Sequence, residues 1–157
     1  MNRIIICGKS GSGKDTLRKR MQSLGFVYGK PYTTRPKREF ESNDDYVFID
    51  GLQFFKLKEQ YFFFDSQIYN DWNYGLPNFE WRSCNLFVMS PATIKKLTED
   101  QLKGCFIIYL DIDKETRRER ILSRIGNADS VERRINADEE DFKQFTTYNL
   151  KITNADF

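Results

Sequence analysis

The 157-residue sequence contains no histidine, and that absence alone removes Ser–His and Cys–His nucleophilic catalysis and every His-ligated metal centre. Any chemistry the chain performs is therefore expected to be electrostatic. Cysteine is scarce as well, with only Cys7, Cys84 and Cys105. They are odd in number, lack Cys-x-x-Cys spacing and sit in or beside apolar runs, which points to buried, reduced thiols in a cytoplasmic protein. No secretory leader and no apolar run long enough to span a bilayer is visible, so no membrane partner is expected. Nor is there a surplus of charge of one sign. With 25 Lys and Arg against 23 Asp and Glu the net charge is +2, which supplies no global field for nucleic acid. The length suits a single domain, so any subdivision must be an insertion on one scaffold. Monomer and homodimer both stay open.

What is present begins with Gly8-Lys9-Ser10-Gly11-Ser12-Gly13-Lys14-Asp15-Thr16, directly after the apolar run Ile4-Ile5-Ile6-Cys7. Glycines at this spacing let successive backbone N–H groups of Gly8, Ser10, Gly11, Ser12 and Gly13 curl around phosphate oxygens. The following helix offers its positive end, and Lys14 reaches the β and γ phosphates. The loop therefore predicts a nucleoside triphosphate site with Lys14 as a catalytic cation. Asp15 departs from the usual pattern, standing where Ser or Thr would give a hydroxyl to Mg²⁺, with a hydroxyl only at Thr16.

Four apolar runs of strand length follow one another: Ile4 to Cys7, Leu86 to Met89, Phe106 to Leu110 and the weaker Leu150 to Thr153. The first three are continuous rather than alternating, as strands buried on both faces of a parallel sheet should be. Helical patterns over Thr16 to Ser23, Ala92 to Leu97 and Lys114 to Ile125 separate them. Alternation of this kind predicts an α/β fold with a parallel sheet between helical layers, the three-layer core of phosphate-loop nucleotide enzymes. Between Tyr32 and Gly75 the texture changes to short aromatic segments, Tyr46-Val47-Phe48-Ile49 and Tyr61-Phe62-Phe63-Phe64-Asp65, with turn-rich pieces and one helix near Leu52 to Lys58. This reads as a small β-rich insertion. Its aromatics lack an interleaved Lys/Arg stripe, so no nucleic-acid platform is expected.

Basic residues gather in two places. Arg117, Arg118, Arg120, Arg124, Arg133 and Arg134 flank Gly126-Asn127-Ala128-Asp129-Ser130, where Asp129 or Ser130 is expected to cap the next helix. Val131, Ile135, Phe142 and Phe145 approximate an apolar stripe on that helix, which leaves most of these arginines as surface charge. The other gathering is Tyr32-Thr33-Thr34-Arg35-Pro36-Lys37-Arg38, followed by Asp44-Asp45-Tyr46-Val47-Phe48. Arg35 and Arg38, on a segment stiffened by proline, can aim two guanidinium forks at one phosphate, and a tyrosine hydroxyl can add a donor.

With these two segments the chain resembles guanylate kinases, which carry Thr-Thr-Arg-x-x-Arg and Asp-Tyr-x-Phe segments in a nucleoside-monophosphate-binding subdomain. The resemblance spans essentially the whole sequence. It implies a core of residues 1–30 and 76–157, a monophosphate-binding insertion over 31–75 and a helical lid over about 120–134. It further implies that Arg35, Arg38, Tyr46, Tyr74 and Gly75 bind the GMP phosphate end, and that Asp65, at the matching interval before Tyr74-Gly75, reads guanine. The family residue there is usually Glu, one methylene longer, and the serine after the glycine is Leu76 here. Arg120, Arg124 and Arg134 fall at the family's lid positions, with Arg124 and Arg134 as the catalytic pair, and Asn154 resembles the asparagine near adenine.

The Asp-x-Asp that closes the family's second core strand is replaced by Val88-Met89-Ser90-Pro91. The reading links that loss to Asp15, a carboxylate relocated to the phosphate loop where it would hold Mg²⁺. Asp111 and Asp113 are better explained by a helix start, with Asp113 as cap. The expected reaction is phosphoryl transfer from ATP to GMP or dGMP. Ribose 1,5-bisphosphate phosphokinases and some virus-encoded deoxynucleoside monophosphate kinases share the Gly-Lys-Asp loop and are the enzymatic alternatives. Non-catalytic guanylate-kinase-like binding domains are the other, and they typically have a degraded loop.

Overall fold

The computed structural model describes residues 2–39, 41–61, 63–69, 71–125 and 128–157. These form two compact units, one of Met1–Gly25 with Leu86–Phe157 and one of Phe26–Asn85.

The first unit is built on four parallel strands, β1 (Arg3–Gly8), β6 (Leu86–Val88), β7 (Cys105–Leu110) and β8 (Leu150–Ile152), in the order β6-β1-β7-β8. β1 is central, with Ile5 opposite Phe87 on one side and Ile107 on the other. Ile5, Ile6, Cys7, Leu86 and Leu110 are fully buried, which is why these runs carry no polar alternation. Helix α1 (Lys14–Ser23) follows β1, and the short α4 (Pro91–Ile94) and α5 (Glu99–Lys103) lie between β6 and β7. The helix expected over Ala92 to Leu97 thus ends early, at Ile94, and a second short helix beyond it was not expected. Ser90 caps α4 through Thr93 N–H, and a Thr98–Gln101 capping box restarts the chain as α5.

Helices α6 (Lys114–Ile125) and α7 (Ala128–Phe142) follow β7 and pack together through Ile121, Val131 and Ile135. Asp113 caps α6, accepting from Thr116 N–H at 2.8 Å and Thr116 Oγ1–H at 2.7 Å. The turn expected before α7 needs correction. Gly126 and Asn127 lie outside the described residues, and α7 already runs from Ala128, so Asp129 and Ser130 belong to its first turn instead of preceding it.

The second unit is a mixed sheet in the order β3-β2-β5-β4, made of β2 (Tyr32–Thr33), β3 (Val47–Phe48), β4 (Phe63–Tyr69) and β5 (Trp72–Pro77). β5 is antiparallel to both neighbours, β4 and β2, whereas β2 and β3 are parallel. Helix α2 (Gly51–Gln60) starts at an Asp50–Gln53 capping box and seats Phe54 against Phe63. Helix α3 (Asn78–Ser83) follows Pro77 and buries Trp81 in a stack on Phe64. Gly75 is fixed by space, because a Cβ there would collide with the Phe63 ring. β5 and α3 carry little periodic signal and are missing from the sequence reading.

Cysteine burial is uneven. Cys7 is fully buried and its thiol is pushed up to about 12, chiefly by desolvation. Cys84 is buried too, but Cys105 at the start of β7 is only half-buried, so the expectation of three buried thiols fails there.

Candidate active site

The loop between β1 and α1 turns on two left-handed residues that only glycine adopts cheaply, Gly11 at φ 76° and Gly13 at φ 94°. Gly13 is the N-cap of α1, so the helix's free N–H groups begin at the loop's end. Lys14 folds back over this turn, its Nζ donating to the carbonyls of Gly8 (2.7 Å) and Lys9 (2.9 Å). Burial pushes the Lys14 ammonium below its ordinary value, while the Asp138 and Asp15 carboxylates oppose that shift. Ser12 Oγ is fully buried and, among the described residues, has no hydrogen-bond partner.

Helix α7 supplies two carboxylates to this loop. Asp138 Oδ2 accepts the Ser10 backbone N–H at 2.7 Å, and Glu139 Oε2 takes Lys9 Nζ at 2.8 Å. Both meet Arg117 of α6, which is 1% exposed: its Nη2 donates to Glu139 at 2.5 Å, its Nε to Ile112 C=O at 3.0 Å, and its Nη1 lies 3.9 Å from Asp138. Burial alone would raise the Glu139 carboxyl, but Lys9 and Arg117 hold it below the usual range. Arg117 is therefore an exception to the reading of most of its segment's arginines as surface charge, and Arg18, wholly buried in α1, was missed altogether.

Beside the loop lies a cavity of about 230 Å³ lined by Gly13, Thr16, Arg120, Arg124, Ala155 and Phe157. Arg120 ties its wall together, donating to Gly11 C=O at 3.3 Å and Ala155 C=O at 3.0 Å. Arg124 reaches this cavity, whereas Arg134 stands on α7 outside its lining. Asn154 does not line it either: its Oδ1 accepts Asp156 N–H at 3.0 Å, and the next residue, Ala155, faces the space. Asp15 is 65% exposed in the first turn of α1, with Arg18 Nε 3.9 Å away. Among the described residues no three His, Cys, Asp or Glu side chains group as a metal cage. Asp15 suits a cation shared with a bound phosphate better than one held by the protein alone.

In the second unit the arginine pair closes on a carboxylate of its own segment. Arg35 makes a two-pronged bond to Glu41, Nη2–Oε1 at 2.7 Å and Nη1–Oε2 at 2.9 Å, and Arg38 backbone N–H adds a third donor at 2.9 Å. The Arg38 guanidinium is 3.9 Å from the same carboxylate. Burial opposes both charges of the Arg35–Glu41 pair, yet their contact outweighs it, raising Arg35 and holding Glu41 below the usual carboxylate range. The Arg35 guanidinium lies 5.6 Å from the Tyr46 ring and 5.7 Å from that of Phe48, and Tyr46 meets Tyr74 edge-on. Asp65, 9% exposed on β4, accepts from Gln67 Nε2 at 2.5 Å. Gln67 is directly across from Tyr74, so Asp65, Gln67 and Tyr74 share one face of the sheet. Arg35, Arg38, Tyr46 and Tyr74 are thereby brought together, with Asp65 joined through Gln67.

A family model described as guanylate kinase matches residues 1–157. The chain belongs to the guanylate kinase family. It is 25% identical over 162 residues to a guanylate kinase of Oleidesulfovibrio alaskensis, covering 96% of this chain and 78% of that protein. A guanylate kinase of Lawsonia intracellularis is 36% identical over 77 residues, 47% of this chain and 36% of the relative. The crystal structure of a guanylate kinase from Anaplasma phagocytophilum shares the fold, with a TM-score of 0.68 at 18% identity over 99% of this chain and 78% of that one. The α/β core with its parallel sheet is the fold of this family, and the chain is a nucleoside monophosphate kinase.

Four polar residues of these guanylate-kinase-like sites escaped sequence reading. Glu41 could have been found as the acid three residues after Arg38. Asp138 could have been found as well, because Val131, Ile135 and Phe142 place 138 inside the same stripe. Arg117 is four residues before the buried Ile121 and so shares its face. Glu139 gives no such signal.

Proposed function

We propose that the chain is an ATP-dependent guanylate kinase that transfers the γ-phosphoryl group of ATP to GMP or dGMP. The observation that carries this reading is the Arg35 fork closed on a carboxylate, because a planar guanidinium preorganised for two parallel bonds fits a monophosphate equally well. Glu41 stands in that place for two oxygens of the acceptor phosphate. Asp65 on the neighbouring strands supplies the acceptor suited to the N–H groups of guanine's Watson–Crick edge, and would repel the N1 lone pair of adenine.

ATP would lay its phosphates along residues 8 to 16 and its nucleoside in the cavity between Arg120, Arg124 and Ala155. An oxygen of the acceptor phosphate forms a bond to the γ phosphorus while the bond to the β–γ bridging oxygen breaks, releasing ADP. The acceptor is already an anion, so no general base is required, consistent with a chain that has no histidine. Catalysis then consists of aligning two anions and neutralising the transferred group, for which Lys14, Arg124 and Arg134 are the candidate cations. Asp15 would be the side chain to hold Mg²⁺ brought by ATP, and the ion would supply neutralisation of the phosphate charge. Three free cysteines suit a reducing compartment, and we place the reaction in the cytoplasm.

A coupled assay with ATP and a panel of GMP, dGMP, AMP, dTMP and ribose 1,5-bisphosphate tests this. Turnover of GMP or dGMP well above AMP is the expected result. Turnover of ribose 1,5-bisphosphate alone, or of no purine monophosphate, overturns it.

A further inference from the structure

Asp138 occupies a position where an amphipathic helix should be apolar. Val131 and Ile135 before it are 1% and 0% exposed, and Phe142 after it stacks on Tyr109, so the spacing puts the carboxylate in the packed stripe of α7. Its buried counterpart on α6, Arg117, is four residues before Ile121 on that helix's packed face. A charge pair in such a seam is poor evidence of stabilisation, since desolvation offsets most of the attraction. What distinguishes Asp138 is its other contact, the 2.7 Å bond from the Ser10 amide of the phosphate loop. The same carboxylate also acts on Lys14, as the strongest of the charges that oppose loss of its proton. An amide of the anion loop and its lysine are thus already served by an anion of the protein.

We propose that Asp138 is a positioning residue that holds the phosphate loop in place of nucleotide, and that a bound polyphosphate takes over its contact with Ser10 N–H and its electrostatic role toward Lys14. Arg117 keeps Glu139 as partner when Asp138 leaves, which spares it an uncompensated charge. Glu139 keeps Lys9, so α7 remains tethered at one residue while the adjacent one is released. Arg134 stands one turn before Asp138 on the same helical face, and its placement is therefore tied to whether the loop is filled by carboxylate or phosphate. This inference rests on the assignment of the loop to ATP.

The test measures the Kd of ATP, with and without Mg²⁺, and of inorganic tripolyphosphate, for the unsubstituted chain and for Asp138→Asn. Asparagine retains an acceptor for Ser10 N–H but removes the charge that competes with phosphate. Binding of both ligands is expected to tighten by about tenfold, the size of one charge-assisted hydrogen bond relieved, while the KM for the monophosphate stays. A double variant, Arg117→Leu with Asp138→Ala, replaces the seam by apolar contacts and should tighten ATP in the same direction with the fold intact by circular dichroism. Unchanged or weaker ATP binding in a folded Asp138→Asn chain overturns the proposal while leaving the loop assignment standing. Failure of the unsubstituted chain to bind ATP overturns both.

Discussion

Each of the two units contains an arrangement of cations and amides already closed on a carboxylate, yet the carboxylates come from very different places. In the β-rich unit Glu41 is six residues from the Arg35 it satisfies. In the α/β unit Asp138 is 128 residues from the Ser10 amide it satisfies. A local partner is delivered by its own turn, so the Arg35–Glu41 fork is built once the segment folds, whatever the rest of the unit does. A distant partner makes the loop's state depend on where α7 lies, and α7 also carries Arg134. The Arg35–Glu41 segment is therefore preformed by local structure, and the loop between β1 and α1 is wired to a helix.

The strongest way to break that comparison is to remove the cation of the loop. Lys14→Met should lower kcat by about 10²–10³-fold, the effect of losing one preorganised charge at the transferred group, and should leave the KM for GMP nearly unchanged. Arg38→Ala, on the other unit and partly exposed, should do the reverse, raising the KM for GMP by about tenfold with the Kd of ATP unmoved. Steady-state kinetics with each nucleotide varied reads both. If either substitution weakens both nucleotides equally, the units do not divide the substrates as proposed.

Glu41 sharpens the local side of the comparison. Its side chain is 9% exposed and its partner Arg35 likewise, so Glu41→Gln leaves a buried guanidinium short of its counter-charge and should cost about 3 kcal/mol, measured as a shift in urea midpoint. The pH dependence has a definite sign. The folded-state carboxyl lies below its unfolded value of about 4.3, because Arg35 and the Arg38 amide outweigh burial. Its stabilisation is therefore fully present above that unfolded value and is lost as pH falls through the lower folded one. Acid titration should destabilise the unsubstituted chain in that window, and Glu41→Gln should flatten the slope there. An identical acid slope in both proteins would remove the fork from the account.

How much of this was legible in the sequence follows from the range of the interactions. The loop Gly8 to Thr16, the runs Ile4 to Cys7 and Phe106 to Leu110, and helix Lys114 to Ile125 are local or strictly periodic, and they stand in the structure nearly where the pattern puts them. β5 was not, because Trp72 to Pro77 has mixed polarity and becomes a strand only by pairing with β4 and β2. Arg117 and Asp138 had a positional signal but were hard to read for a related reason. Each is an ordinary surface residue by type, and only their approach to 3.9 Å across α6 and α7 pairs a buried guanidinium with a half-buried carboxylate. The general rule that charge lies outside hid them. The stripe spacing that contains 138 was visible, but a carboxylate in it reads as a gap in the stripe until the Ser10 amide is seen opposite.

The smallest expected effect concerns how the two anion sites are neutralised. In the proposed function the Arg35 fork needs no ion, since its guanidinium would meet the acceptor phosphate directly. The loop would differ, because the two carboxylates that act most on Lys14, Asp138 and Asp15, would work in opposite directions once nucleotide is bound. Under the proposal Asp138 would compete with phosphate, whereas Asp15, 65% exposed on the first turn of α1, would share a cation with ATP. Asp15→Ala should therefore raise the Mg²⁺ concentration for half-maximal rate several-fold while moving the KM of ATP at saturating Mg²⁺ by less than about twofold. Equal shifts in both would mean that Asp15 serves the helix N-terminus alone, as an acid favoured there by the helix dipole. In that case the metal is held by the phosphates and water, and the contrast between the units reduces to guanidinium against ammonium.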